Sequence, residues 1–233
     1  MRCLFVSDAH YPKSSAIVDF LISIVKQYDT VYILGDLFEF YYGYEKIYPH
    51  HKPLLEALGL VAQYSRVVLF EGNHEYRLKN IKRFLPVEVI DDYAIETIDS
   101  KRVYLAHGDA IDKNDRFYML FRYFLKNDIT LEFINRCVPP KTLLKLAGFA
   151  SDFSKSKLKN KPYRGTYRAL EEFAKKQLDE VDVVILAHTH KSVFKNFKNG
   201  LYINTGDFFE QFSYVVYENG EFCMKRFAGG KNG

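Results

Sequence analysis

Two spacings of apolar residues alternate along the first hundred positions. Residues 4–6 form a short apolar run. Ile17, Phe20, Leu21, Ile24 and Val25 then recur at helical spacing behind Ser14 and Ser15, either of which suits a helix N-cap. Residues 30–34 are β-branched and apolar and stop at Gly35-Asp36. Residues 53–64 return to a helical pattern, and residues 66–70 read as a third strand that ends at Glu71-Gly72-Asn73. Strand-helix-strand-helix-strand predicts parallel pairing, with helices covering the sheet. Further along, residues 93–98 and 102–106 flank an Asp99-Ser100 turn, and residues 183–187 form another buried strand. Asn199-Gly200 and Asn219-Gly220 are hairpin signals between alternating segments, so the C-terminal third is expected to be antiparallel. Together these elements predict a layered α/β sandwich. Residues 112–165 carry helix-like stretches, the helix-stopping pair Pro139-Pro140 and no strand signal. They predict a helical cap inserted into a core made of residues 1–111 and 166–233.

Composition narrows the class. At 233 residues, 48% hydrophobic and 27% charged, the chain suits one folded, soluble domain with an insertion. No apolar run approaches the ~18 residues of a membrane-spanning helix. The first strand follows Met1 directly, which leaves no room for a signal peptide and predicts a cytoplasmic location. Cys3, Cys137 and Cys223 are odd in number and widely spaced, which argues against a disulfide framework. The net charge of +4 hides an asymmetry: residues 113–164 hold twelve Lys/Arg against four Asp/Glu, a net +8, leaving about −4 on the rest. A basic block of this kind suits an anionic partner, although a solvated surface explains it equally well.

The chemistry lies in five polar clusters, each placed where an apolar run ends. They are Asp8-Ala-His10, Gly35-Asp36, Gly72-Asn73-His74-Glu75, His107-Gly108-Asp109 and His188-Thr-His190, and they contain five of the seven histidines. Reactive groups of open α/β sheets gather beyond the carboxyl ends of the strands, so clusters distant in sequence can share one cleft. They offer oxygen and nitrogen donors only, the set that two divalent ions need; the absence of cysteine favours manganese, iron or zinc over a soft thiolate site, and manganese is the expected ion. Asp36, alone after Gly35, suits a carboxylate bridging both ions. Asp8 and His10 can reach one ion, Asn73 and His107 the other, and His188 and His190 can divide between them. Each motif alone is weak, since His-X-His and Gly-Asp often have only structural roles. Five together at strand ends are far less easily produced by chance. His50 and His51, beside Pro49, read as exposed loop or cap residues, and Asp109 as a residue that orients His107 or holds the turn.

The pattern resembles the calcineurin-like metallophosphoesterase family, whose signature is Asp-X-His, Gly-Asp, Gly-Asn-His-(Asp/Glu), a later His and Gly-His-X-His. All five blocks are recognisable between residues 8 and 190, with Ala187 where the last block usually has glycine. The resemblance implies an α/β/β/α sandwich with mixed sheets. It implies one metal held by Asp8, His10, Asp36 and His190 and the other by Asp36, Asn73, His107 and His188. It makes His74 the group that steadies phosphoryl charge or protonates the leaving group, and Glu75 its orienting carboxylate. It implies in-line attack on phosphorus by water activated at the ions.

Within the family, three features resemble the branch that cleaves the pyrophosphate of a lipid-linked nucleotide sugar. These are the block Gly35-Asp36-Leu37-Phe38-Glu39, the spacing of Asp115 and Tyr118 after His107, and a cap between the same two histidine blocks. That branch usually has arginine where this chain has His74, which leaves another nucleotide, lipid or nucleic-acid phosphodiester open as substrate. The likeness implies substrate contacts from Asn73, His74, Asp115, Tyr118, Lys161, Arg164 and His188. It also implies peripheral association with the inner surface of the cytoplasmic membrane, which the apolar and basic character of the cap suits. The basic residues are interleaved with aliphatic bulk and no nucleic-acid-binding module is recognisable, so a nucleic-acid partner is not expected. No protein partner is evident. The aromatic run Phe38, Phe40, Tyr41, Tyr42, Tyr44 and Tyr48 suits a stacking surface for a base, the lining of an acyl groove, or packing beneath the cap.

Overall fold

The computed structural model describes residues 1–43, 49–111 and 164–231. The expected cap, with Cys137 and the basic block, lies outside them, as do Tyr44 and Tyr48. Two mixed sheets stack face to face. The first has six strands in the order β13 (Glu221–Arg226), β12 (Ser213–Glu218), β1 (Cys3–Val6), β2 (Thr30–Ile33), β4 (Arg66–Phe70) and β6 (Glu88–Ile90). Its four strands β1, β2, β4 and β6 are parallel, and β12 and β13 are added antiparallel. The second sheet runs β10 (Ser192–Phe197), β11 (Gly200–Thr205), β9 (Val183–Leu186), β8 (Lys101–Ala106) and β7 (Tyr93–Ile98). Here β11, β9 and β8 are parallel, and the antiparallel strands β10 and β7 close the edges. A short parallel pair, β3 (Tyr41–Tyr42) and β5 (Glu75–Tyr76), lies apart.

The alternation of side chains explains why the central strands are apolar throughout. In β1, Cys3 and Phe5 point between the sheets, where they meet Tyr32, Val68, Val103, Leu105, Val183 and Ile185. Leu4 and Val6 point the other way, onto Ile17, Phe20 and Leu21 of α1 (Ala16–Ser23) and Leu54, Leu58 and Val61 of α2 (Lys52–Ala62). The outer face of the second sheet uses Tyr104, Val184, Leu186 and Tyr202 to cover Leu170, Ala174 and Leu178, which lie on or just after α3 (Arg164–Gln177). Strands covered on both faces read as continuous apolar runs. Three apolar layers therefore separate four structural ones, giving the α/β/β/α order.

Local signals account for most boundaries. The Ser14 hydroxyl accepts the Ala16 N–H at 3.3 Å, while Ser15 occupies the cap position without a side-chain bond. Asn219 and Gly220, with φ of 56° and 86°, make the two-residue turn between β12 and β13. The C-terminal third is only partly antiparallel: β11 returns to lie parallel to β9, pairing Leu201 with Val183. A hairpin signal at residues 199–200 identifies the β10–β11 turn but cannot tell which strand lies on the far side of β11.

Candidate metal centre

All five clusters sit at one end of the sandwich, beyond the carboxyl ends of β1, β2, β4, β8 and β9. Backbone hydrogen bonds tie the loops to one another. Asp8 N–H donates to Gly35 O at 3.1 Å, His10 N–H to Asp36 O at 3.0 Å, and Tyr11 N–H to Leu37 O at 2.9 Å. Asp8, His10, Asp36, His188 and His190 all take left-handed backbone conformations, with φ of 50°, 49°, 51°, 71° and 56°. Each costs on the order of 1 kcal/mol for a non-glycine residue. Five such residues at one place signal a constraint beyond folding. Gly72 is required because a Cβ there would stand 2.2 Å from Asp36 Oδ1 and 2.6 Å from its backbone nitrogen.

The side chains converge in overlapping groups. Donor atoms of Asp8, His10 and His190 lie within 4.8 Å of one another, as do those of Asp36, His107 and His188, and those of His10, Asp36 and His74. Asp36 thus belongs with His107 and His188 on one side and with His10 on the other. His10 Nε2 and His190 Nε2 stand 3.3 Å apart, and His190 Nε2 is 3.2 Å from Asp8 Oδ1. That Asp8 oxygen is buried and accepts no well-formed hydrogen bond, whereas Oδ2 accepts from the Ser7 hydroxyl at 2.6 Å and the His188 N–H at 3.2 Å. The His107 Nδ1–H donates to Leu34 O at 2.8 Å. Its Nε2 faces Asn73 Oδ1 at 3.1 Å and Asp36 Oδ2 at 3.5 Å. An imidazole nitrogen ringed by oxygen lone pairs needs a cation, either a proton or a metal ion.

The electrostatics express that demand. Burial pushes the His107 imidazole down, but the Asp36 carboxylate overrides it and holds the ring up at about 10. Burial likewise opposes ionisation of Asp8, and His190 beside it brings the carboxyl down to about 2. His188 is pushed down to about 4, first by burial and then by His107. Buried carboxylates, imidazoles and an amide oxygen, without thiolate, suit a hard or borderline divalent ion. Cys3 lies between the sheets, and Cys223 is exposed on β13.

Glu75 serves the backbone. Its carboxylate is fully buried and accepts N–H groups from Phe38 at 3.1 Å, Asp36 at 3.1 Å and Gly72 at 2.9 Å, pinning the Asp36 and Gly72 loops together. Burial, and then Asp36, pushes it up to about 8 against those donors. The His74 N–H donates to Asp36 Oδ1 at 2.9 Å, and the ring Nδ1–H to Glu39 O at 2.7 Å, leaving Nε2 4.0 Å from Asp36 Oδ2. The His107 ring is oriented by the Leu34 carbonyl, so of the two expected roles of Asp109, orienting His107 or holding the turn, the first falls to a backbone acceptor. Asp115, Tyr118 and Lys161 lie outside the described residues, as does the side chain of Arg164.

One expectation from sequence needs correction. His51 is buried, its ring centroid 4.9 Å from that of Phe38 in an edge-on contact, because it occupies the N-cap position of α2 beneath the aromatic loop. Phe38, Tyr41 and Tyr42 are buried in the layer between the first sheet and its helices, while Phe40 packs at its margin. One loop escaped notice. Gly206-Asp207 follows β11 as Gly35-Asp36 follows β2, but here the polar pair Asn204-Thr205 stands between the apolar residues and the Gly-Asp pair. Asp207 Oδ1 accepts the N–H groups of Phe209, Glu210 and Gln211, and the amide of Gln211 donates to the His190 carbonyl. Phe209 packs edge-on against His10 and His190 at 5.6 and 5.7 Å.

Two stacked mixed sheets with hard metal donors gathered at their carboxyl end are the layout of a metallophosphoesterase. The chain belongs to the calcineurin-like phosphoesterase family, whose sequence profile it matches over residues 1–192. Among curated relatives, it is 30% identical to a UDP-2,3-diacylglucosamine hydrolase of Shewanella baltica over 91% of each chain. It is 26% identical to one of Pseudomonas savastanoi over 84% of this chain and 82% of that one. Among solved structures it shares its fold with a novel archaeal phosphodiesterase, at a TM-score of 0.52, 17% identity and coverage of 97% of this chain and 99% of that one. The E. coli phosphoesterase Yfce gives 0.51 and 19% identity over 94% of this chain and 89% of that one. Membership of this family carries divalent-metal binding with it.

Proposed function

We propose that the chain is a dinuclear-metal phosphoester hydrolase that cleaves the pyrophosphate of UDP-2,3-diacylglucosamine, releasing UMP and lipid X. The observation that carries the reading is the position of Asp36, whose carboxylate groups with His107 and His188 on one side and with His10 on the other. Similarity to UDP-2,3-diacylglucosamine hydrolases along about nine-tenths of the chain supports the substrate. Asp8, His10, Asp36 and His190 would hold one ion, and Asp36, Asn73, His107 and His188 the other, with manganese preferred over iron or zinc. A pair of divalent ions bound there lowers the pKa of water from ~15.7 toward ~7 and neutralises charge on the phosphate oxygens.

The remaining work falls to the chain itself. Glu75 and Gly72 fix the Asp36 loop, so both carboxylate oxygens keep their direction without reorganisation at the moment of reaction. His74, anchored through Nδ1, presents Nε2 to the same space. As an imidazolium it would donate from that nitrogen to an oxygen on which charge develops. Asn73, His74 and His188 would contact the substrate together with Asp115, Tyr118, Lys161 and Arg164. The protein would work in the cytoplasm at the inner membrane surface, where acyl chains stay in lipid and the basic block of residues 113–164 meets anionic head groups. No helix among the described residues is long and apolar enough to cross a membrane, which suits a peripheral contact.

His74, in place of the arginine usual in that branch, favours one second reading: the same chemistry on a different phosphodiester. Incubating manganese-loaded protein with UDP-2,3-diacylglucosamine in mixed micelles, beside a single-stranded oligonucleotide, separates the two. UMP and an acylated sugar phosphate are expected from the first. Turnover of the oligonucleotide alone would replace the substrate and leave the reaction class standing.

A further inference from the structure

One residue touches both the His10 and the His74 side of the centre without belonging to either set of donors. Glu39 rides on the rung that joins the first two loops. Tyr11 N–H donates to Leu37 O and Glu39 N–H to Tyr11 O, each at 2.9 Å, while Leu37 and Phe38 anchor the segment in the core. Its backbone carbonyl accepts the His74 Nδ1–H at 2.7 Å. Its carboxylate Oε2 lies 3.2 Å from His10 Nδ1, within reach of a hydrogen bond although not aligned as one, and Oε1 pairs with Lys13. The far nitrogen of the His10 ring, Nε2, faces His190 Nε2.

We propose that Glu39 is a positioning residue with two separable effects. Its carboxylate holds the His10 proton on Nδ1 and so turns the Nε2 lone pair into the metal site, while its carbonyl independently holds His74. The proposal rests on the two-metal reading above and deepens it. A carboxylate behind a ligating imidazole fixes the ring's tautomer and direction and makes it a stronger donor; losing such a partner typically costs 10–100-fold in metal affinity. Lys13 has a defined part, since it occupies Oε1 and leaves Oε2 for the ring. A simple surface ion pair between Lys13 and Glu39 explains neither the approach to His10 nor the carbonyl contact with His74. It also does not explain a Glu39 side chain only 21% exposed.

Glu39→Ala divides the two effects because it removes the carboxylate and keeps the carbonyl. Manganese titration of metal-free protein by calorimetry should show one ion bound ~10–100-fold more weakly than in the parent and the other unchanged. Saturating manganese should restore most of kcat, since His74 stays anchored. In the metal-free state, imidazole 15N shifts should assign the parent His10 proton to Nδ1, and this preference should be lost in Glu39→Ala. Glu39→Gln keeps an acceptor without charge and should keep the tautomer while weakening the same ion by less than ~10-fold; it also serves if the alanine variant does not fold. Unchanged shifts and unchanged titration in the folded variant would overturn the proposal. A parent protein that binds fewer than two ions would instead overturn the two-metal reading, so the failures are distinguishable.

Discussion

Gly72→Ala tests the geometry of the centre without replacing any donor. The new Cβ would stand 2.2 Å from Asp36 Oδ1, 2.6 Å from Asp36 N and 3.0 Å from Asp36 Cγ. Ordinary van der Waals contact begins at 3.4 Å, so the carboxylate or its loop must retreat by about 1.2 Å. Neither partner can give easily. Asp36 is held by its N–H to Glu75 and by its Oδ1 to the His74 N–H, and Gly72 donates to the same Glu75 oxygen. Displacing a reacting constellation by about 1 Å costs on the order of 10²-fold in rate, and overpacking a rigid site costs about 1–3 kcal/mol of stability. The variant is therefore expected to melt a few degrees lower and to hydrolyse a generic aryl phosphodiester ~10²-fold more slowly at saturating manganese. Turnover is followed by release of the chromophore and folding by circular dichroism. Parental turnover in a folded Gly72→Ala protein would refute the claim that this close approach fixes Asp36.

Other consequences test different parts of the account. Asp36→Ala should remove metal occupancy and activity together if one carboxylate serves both ions; elemental analysis of the dialysed variant reads this, and near-normal turnover would dismiss the bridge. His74→Ala should lower kcat by ~10²-fold with both ions retained, if Nε2 acts on developing charge; a change confined to KM would give it a binding role only. Leu170→Ala, in the layer under α3, should cost about 2–5 kcal/mol in denaturant unfolding and leave metal stoichiometry unchanged. Burial, then Asp29, pushes the Cys3 thiol up to about 12. Its reactive thiolate is thus suppressed at neutral and mildly alkaline pH. Iodoacetamide at pH 8 should label exposed Cys223 and spare Cys3 in the folded protein, as peptide mapping would show.

Much of this architecture was legible in the residue pattern. Strand β4 and the turn after β7 fall where the apolar runs and Asp99-Ser100 put them, because strands buried on both faces leave unbroken runs with abrupt polar ends. The same abruptness marked the five clusters, since polar side chains at a strand end must leave the core. What periodicity lacks is neighbour information. Nothing in residues 200–205 says that β11 lies parallel to β9, and so nothing in the hairpin signal placed Gly206-Asp207 at the same end as Gly35-Asp36. A histidine close after a proline, as His51 is, looks like surface until an aromatic loop folds over it. Glu39 carries no signal of its own in the sequence beyond its place in the Gly35-Asp36-Leu37-Phe38-Glu39 block. Its closeness to His10, 29 positions away from it, exists only once the first two loops are zipped together.

The central claim is that loops after five strands assemble a pocket for two divalent ions. It is tested most directly by elemental mass spectrometry of the purified chain after manganese loading and gel filtration. Two ions per chain, both removed by chelation in step with phosphodiesterase activity and both restored with it, are predicted. A fully active chain carrying one ion or none would contradict the account.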